Sequence, residues 1–213
     1  MKKTAYLLTE FFLIYVLLPV SFALDYPVLI KAILVLLGFG YILFVLKRVE
    51  RISFRLQRDI NWRGFWRPTL WKFLLIAVLT TAYVLYKDPG ALFYVPRTNL
   101  GLFVFILFVY SVLSVWPQEV IYRTFYFERY ERLFKNRSLF LFVNAIVFSL
   151  AHIFFRNTLV LILTFIGGIL FALTYLRSRS TTLVSIEHAL YGNWLFTVGM
   201  GQMLAFPGME APQ

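Results

Sequence analysis

Residues 98–118 carry no charged side chain, and within them the chain reads NLGLFVFILFVYSVLSVW. A helix of about 17 to 25 apolar residues crosses the hydrocarbon core of a bilayer. Runs of this kind predict spans at 5–23, 27–46, 69–86, 98–128, 138–155, 158–176 and 182–205. In lipid, every backbone N–H and C=O must be satisfied within the protein, which leaves helices or a closed barrel. The short alternating segments of a barrel are missing here. The expected fold is therefore all-α, a polytopic transmembrane bundle of seven or eight helices forming a single integral membrane domain over residues 1–213. The composition agrees: 61% of the 213 residues are hydrophobic and 15% are charged, against about 25% charged in soluble domains.

A net charge of +11 raises the question of nucleic acid, but the basic residues lie between apolar runs, above all in KRVERISFRLQRDINWRGFWR, residues 47–67. That placement fits a basic cytoplasmic loop facing anionic lipid. Phe54, Trp62, Phe65 and Trp66 predict an interfacial helix within it. Lys2 and Lys3, the 47–67 loop, the group Arg129, Arg132, Lys135 and Arg137, and the pair Arg177 and Arg179 recur at alternate loops. By the positive-inside rule this places the N-terminus in the cytoplasm. The opening segment resembles a secretory signal in its two lysines, apolar stretch and small residue before Asp25, but Glu10 interrupts the apolar core, the stretch is long for a signal, and a retained first span is expected. There is no cysteine, so disulfides and thiolate chemistry are excluded. Pro117 lacks a backbone donor and predicts a kink or break in the fourth span.

Ionisable groups at membrane depth are costly and mark functional sites by default. The two histidines, His152 and His188, both fall in predicted spans, and Glu119 and Glu187 are the acids at comparable depth in the C-terminal half. Glu119 and Arg123 are four residues apart and share a helical face, where an ion pair offsets part of the burial cost. His152 lies one turn beyond Phe148, with Asn144 a further turn back. Gly192 follows His188 on one face, whereas Asn193 points away unless Gly192 permits a π-bulge. Gly167, Gly168, Gly192, Gly199 and Gly201 are candidate points of close helix contact.

Taken together, QEVIYR, FSLAH and HALYGN, in that order, resemble the CPBP family of intramembrane metalloproteases, the CAAX prenyl endopeptidase and bacteriocin-processing group. The resemblance covers about residues 98–205. The family pattern is a glutamate pair followed by arginine, a phenylalanine four before a histidine, and a second histidine with asparagine or aspartate four after it. Arg123, Phe148, His152 and His188 match it, and Glu119 takes the second glutamate. Gln118 replaces the first, and Gly192 stands at the asparagine position, with Asn193 one later.

The resemblance implies an intramembrane endopeptidase acting on a membrane-associated peptide or protein in the bilayer, without nucleic acid. Glu119, Arg123, His152, His188, Asn193 and Gln118 are the implied catalytic set. Glu119, His152 and His188 are the implied ligands of a divalent metal, zinc by ligand type. The expected location is the bacterial inner (cell) membrane. The alternative is a catalytically impaired relative that binds peptides as an immunity or regulatory factor. A bis-histidine haem protein is a third class that a missing Soret band would exclude.

Overall fold

The computed structural model describes residues 2–52 and 60–204, and among these residues there is no strand. Helix α1 comprises Lys2–Phe12, a π-helical turn Leu13–Leu17 and Leu18–Ser21. It is followed by α2 (Val28–Arg48), α3 (Trp62–Lys87) and the short α4 (Tyr94–Thr98). Helix α5 runs over Leu100–Leu133, and α6 (Arg137–Leu150), α7 (Thr158–Ser178) and α8 (Thr181–Val198) complete the set. Asparagine side chains cap four of these helices, Asn61, Asn99, Asn136 and Asn157 accepting from backbone N–H groups of the first turn at 2.8–3.2 Å. Each satisfies a donor that the helix itself leaves open.

Six of the helices, α1, α2, α3, α5, α6 with its following turn, and α7, are long and apolar enough to cross a membrane. The all-α membrane bundle expected from the sequence is therefore present. Helix α8 is as long as a short span, but Glu187, His188 and Asn193 make it too polar to count among the six. Exposed Leu36, Leu75, Phe105, Phe108 and Leu113 suit contact with lipid tails. The predicted interfacial helix differs from the structure: Trp62, Phe65 and Trp66 form the first turns of α3, which starts at Trp62 and continues through Pro68. The Asn61 cap fixes that early start. Phe54 lies outside the described residues.

The chain groups into two compact units, one of Met1–Arg55 with Pro117–Thr181, the other of Leu56–Trp116 with Thr182–Gln213. The division falls at Pro117, yet the helix does not break there. Two π-helical segments, Tyr110–Val115 and Val120–Phe125, flank the proline instead. Widening the turn relieves the clash between a proline ring and the carbonyl four residues back.

In the first unit, α6 and α7 form a closely packed hairpin. A Cβ at Gly168 would lie 2.9 Å from Ala145 Cα, so only glycine permits this approach. Phe127, Phe140 and Tyr175 pack edge to face with centroids 4.9 Å apart. Beside them lies a polar network whose anchor is Glu10. Its carboxylate accepts two bonds from Arg129 at 2.9 Å, one from Tyr130 at 2.7 Å and one from Tyr41 at 2.8 Å. Arg129 also donates to Glu50 at 2.8 Å. The glutamate that interrupts the first apolar run thus joins α1, α2 and α5.

In the second unit, α8 is tied to α3 by Trp194 Nε1, which donates to Thr80 Oγ1 at 2.9 Å, and by Tyr191 Oη, 3.1 Å from the Thr69 carbonyl. Val95, Ile106, Tyr110, Val115 and Phe196 form its apolar core. Gly199 adopts φ +107° against the Ala91 carbonyl, which a Cβ there would meet at 2.1 Å.

Breaking a buried ion pair by removing one partner costs about 3–5 kcal/mol, whereas replacing both by apolar groups costs far less. Arg129→Met is therefore expected to lower the thermal midpoint in detergent sharply, and Glu10→Leu with Arg129→Met to recover much of that loss.

Candidate functional site

Of the residues singled out in the sequence, Gln118, Glu119, Arg123 and His152 belong to the first unit, and His188 and Asn193 to the second. In the first unit the site is built on the π-helical segment Val120–Phe125. Glu119 and Arg123 are both fully buried, with Arg123 Nε 3.3 Å from Glu119 Oε2. The sequence spacing that put them on one face is thus realised as an ion pair.

The guanidinium lies over aromatic faces, its central carbon 4.5 Å from the Phe148 ring centre and 5.7 Å from that of Phe171. A cation there is attracted to the ring quadrupole, more so when desolvated. Carbonyl groups of the π-helical segment are held from both sides. Tyr15 Oη of α1 donates to Ile121 at 2.6 Å, and Asn144 Nδ2 of α6 donates to Tyr122 at 2.7 Å. These bonds explain why the distorted turn keeps one shape, since Ile121 and Tyr122 carbonyls each have a side-chain donor aimed at them.

His152 lies just past the C-terminal end of α6, half-buried. Its ring meets Phe148 edge to face at 5.1 Å and stacks on Phe155 at 6.0 Å. Its Nδ1 is 2.8 Å from the Phe148 carbonyl. A carbonyl oxygen only accepts, so Nδ1 carries the proton in this contact, and in the neutral ring Nε2 keeps its lone pair. Phe148 therefore does two jobs: its ring faces Arg123 and its carbonyl orients His152. Glu119, Arg123, Phe148 and His152 form one continuous series of contacts.

In the second unit, His188 is buried, with the Tyr110 ring edge-on at 6.0 Å. Glu187, next to it, is fully buried and paired with Lys72. Tyr191 Oη lies 2.8 Å from the same Glu187 oxygen. Lys72 carries no sequence signal of this role, because its contact with Glu187 is long-range, whereas Tyr191 follows Glu187 by four residues on one helical face. Helix α8 is regularly α-helical through Gly192, so the π-bulge considered there is absent. Asn193 accordingly turns from the His188 face, and its Nδ2 donates to Ser111 Oγ at 3.0 Å. The π-helical distortion lies on the other partner of that bond, in Tyr110–Val115.

Among the described residues, no three His, Cys, Asp or Glu side chains form a group arranged to hold a metal ion. His152 nevertheless has the chemistry of a ligand, because an Nδ1–H fixed on a backbone carbonyl is the usual outer partner of a metal-binding imidazole.

A buried carboxylate–arginine pair and an oriented imidazole on apolar membrane helices define a membrane protein with a polar intramembrane centre. Residues 99–195 match the family model of the type II CAAX prenyl endopeptidases, Rce1-like. This match supports the CPBP/CAAX endopeptidase family. Neither a curated protein nor a solved structure matches the chain.

The Phe148 contact makes a direct spectroscopic prediction. In protein labelled with ¹⁵N-histidine, His152 is expected to show a protonated Nδ1 and a bare Nε2 at neutral pH. The opposite tautomer would contradict the hydrogen bond described above.

Proposed function

We propose that this protein is an intramembrane endopeptidase that hydrolyses a peptide bond in a membrane-associated peptide or protein. The observation that carries the proposal is the continuous series of contacts through Glu119, Arg123, Phe148 and His152. In this reading Glu119 takes a proton from water as the water oxygen bonds to the peptide carbonyl carbon, and the proton passes to the leaving nitrogen as the C–N bond breaks. Arg123 holds the carboxylate in place. His152 orients the attacking water through Nε2, and His188 is its counterpart in the second motif. The side-chain amide of Gln118 or of Asn193 is the candidate donor to the oxyanion.

The proposal includes a divalent metal, zinc by ligand preference, with Glu119, His152 and His188 as its ligands. When bound, zinc would polarise the substrate carbonyl and lower the pKa of a coordinated water. Location in a bacterial inner membrane with a cytoplasmic N-terminus, as charge alternation implies, belongs to the same proposal.

Detergent-purified protein is expected to cleave members of a membrane-peptide library. Glu119→Ala and His152→Ala are expected to lower kcat by about 10²–10⁴-fold. Equal turnover in all three proteins would refute the assignment. A strong chelator is expected to abolish turnover and added zinc to restore it, with bound metal measured by elemental analysis in parallel.

The amide at Gln118, where the family pattern has a carboxylate, favours a second reading: a peptide-binding regulatory or immunity factor without turnover. That reading predicts partner binding that survives Glu119→Ala.

A further inference from the structure

Gly192 lies on the buried face of α8 one turn beyond His188, and the space above its Cα is filled by Tyr110. A Cβ at 192 would lie 2.0 Å from Tyr110 Oη and 2.4 Å from its Cε1 and Cζ. No side chain fits there while the phenol is in place. Tyr110 begins the π-helical segment Tyr110–Val115 of α5. Its ring is edge-on to His188 at 6.0 Å and to Phe196 at 4.9 Å. His188, Gly192 and Phe196 recur at intervals of four residues, so one phenol covers the whole stripe and delivers its hydroxyl to the middle of it.

The ring belongs to an apolar core with Val95, Ile106, Val115 and Phe196, where a buried hydroxyl is costly unless it is hydrogen-bonded. A glycine inside a helix also costs about 1 kcal/mol relative to alanine. Both choices make sense together: the glycine clears a place beside His188 and the tyrosine puts an oxygen in it.

We propose that Tyr110 is a positioning residue for His188, with its ring edge fixing the imidazole plane and its hydroxyl taking the place of the side chain missing at 192. Its effect on turnover rests on the peptidase reading given above, whereas its effect on His188 does not.

The chain has two histidines, so ¹⁵N-histidine labelling of the full-length protein in detergent yields two imidazole signals, assigned with His152→Gln. Tyr110→Phe keeps the ring and is expected to leave the thermal midpoint near that of the parent protein. It should move the His188 signal, leave that of His152 in place, and lower kcat about 10²-fold at unchanged KM. Gly192→Asn alone is expected to destabilise the fold through the clash. Combined with Tyr110→Ala, it should be accommodated and should raise kcat above that of Tyr110→Ala. An unmoved His188 signal in Tyr110→Phe, or an unchanged kcat, overturns the proposal. If the parent protein cleaves no peptide, the peptidase reading falls, and the His188 signal alone decides the role of Tyr110.

Discussion

The buried ion pair of Glu119 and Arg123 constrains everything around it. Removing two charges from water costs several kcal/mol per ion, and Coulomb attraction recovers this only with good geometry and further polar or aromatic partners. The surroundings supply them: Phe148 and Phe171 face the guanidinium, and the Tyr122 carbonyl accepts from it at 3.3 Å. Asn144 and Tyr15 in turn hold the π-helical segment that carries the arginine. Helices α1, α6 and α7 are thus committed to one short polar segment of α5. The same commitment orients His152, because Phe148 is shared between the arginine and the imidazole.

The second unit solves a similar problem with different residues. Glu187 is fully buried beside His188, and Lys72 and Tyr191 provide its charge and hydrogen-bond partners. Tyr110 approaches over Gly192, and Ser111 binds Asn193. The π-helical segments of α5 supply residues to both units, Tyr110 and Ser111 from one and Arg123 from the other. Such segments shift side chains off the regular α-helical register and are frequent at functional sites. Pro117 is the local cause of the first, Tyr110–Val115, which contains the carbonyl four residues before it.

Much of the candidate site was legible in the primary structure because four-residue spacing maps directly onto a helical face. The Glu119–Arg123 pair and the Phe148–His152 contact follow from that rule. Gly192 was identified as a point of close approach, but its partner was not, since Tyr110 lies far away in the chain. Asn193 illustrates the converse: a bulge at the glycine was one way to turn it toward His188, and α8 stays regular while α5 distorts. Glu10 was visible only as a flaw in an apolar run, although it anchors four hydrogen bonds.

Helical membrane architecture was determined by the sequence alone, because apolar run length and the cost of unsatisfied backbone groups in lipid leave few alternatives. The identity of the scarce ionisable groups was equally plain, since charge in an apolar run stands out whatever its neighbours are. Their partners were decided by tertiary structure. Arg129 for Glu10, Lys72 for Glu187 and Tyr110 for the space at Gly192 all come from other helices, and no local periodicity encodes which distant side chain will fill a given vacancy.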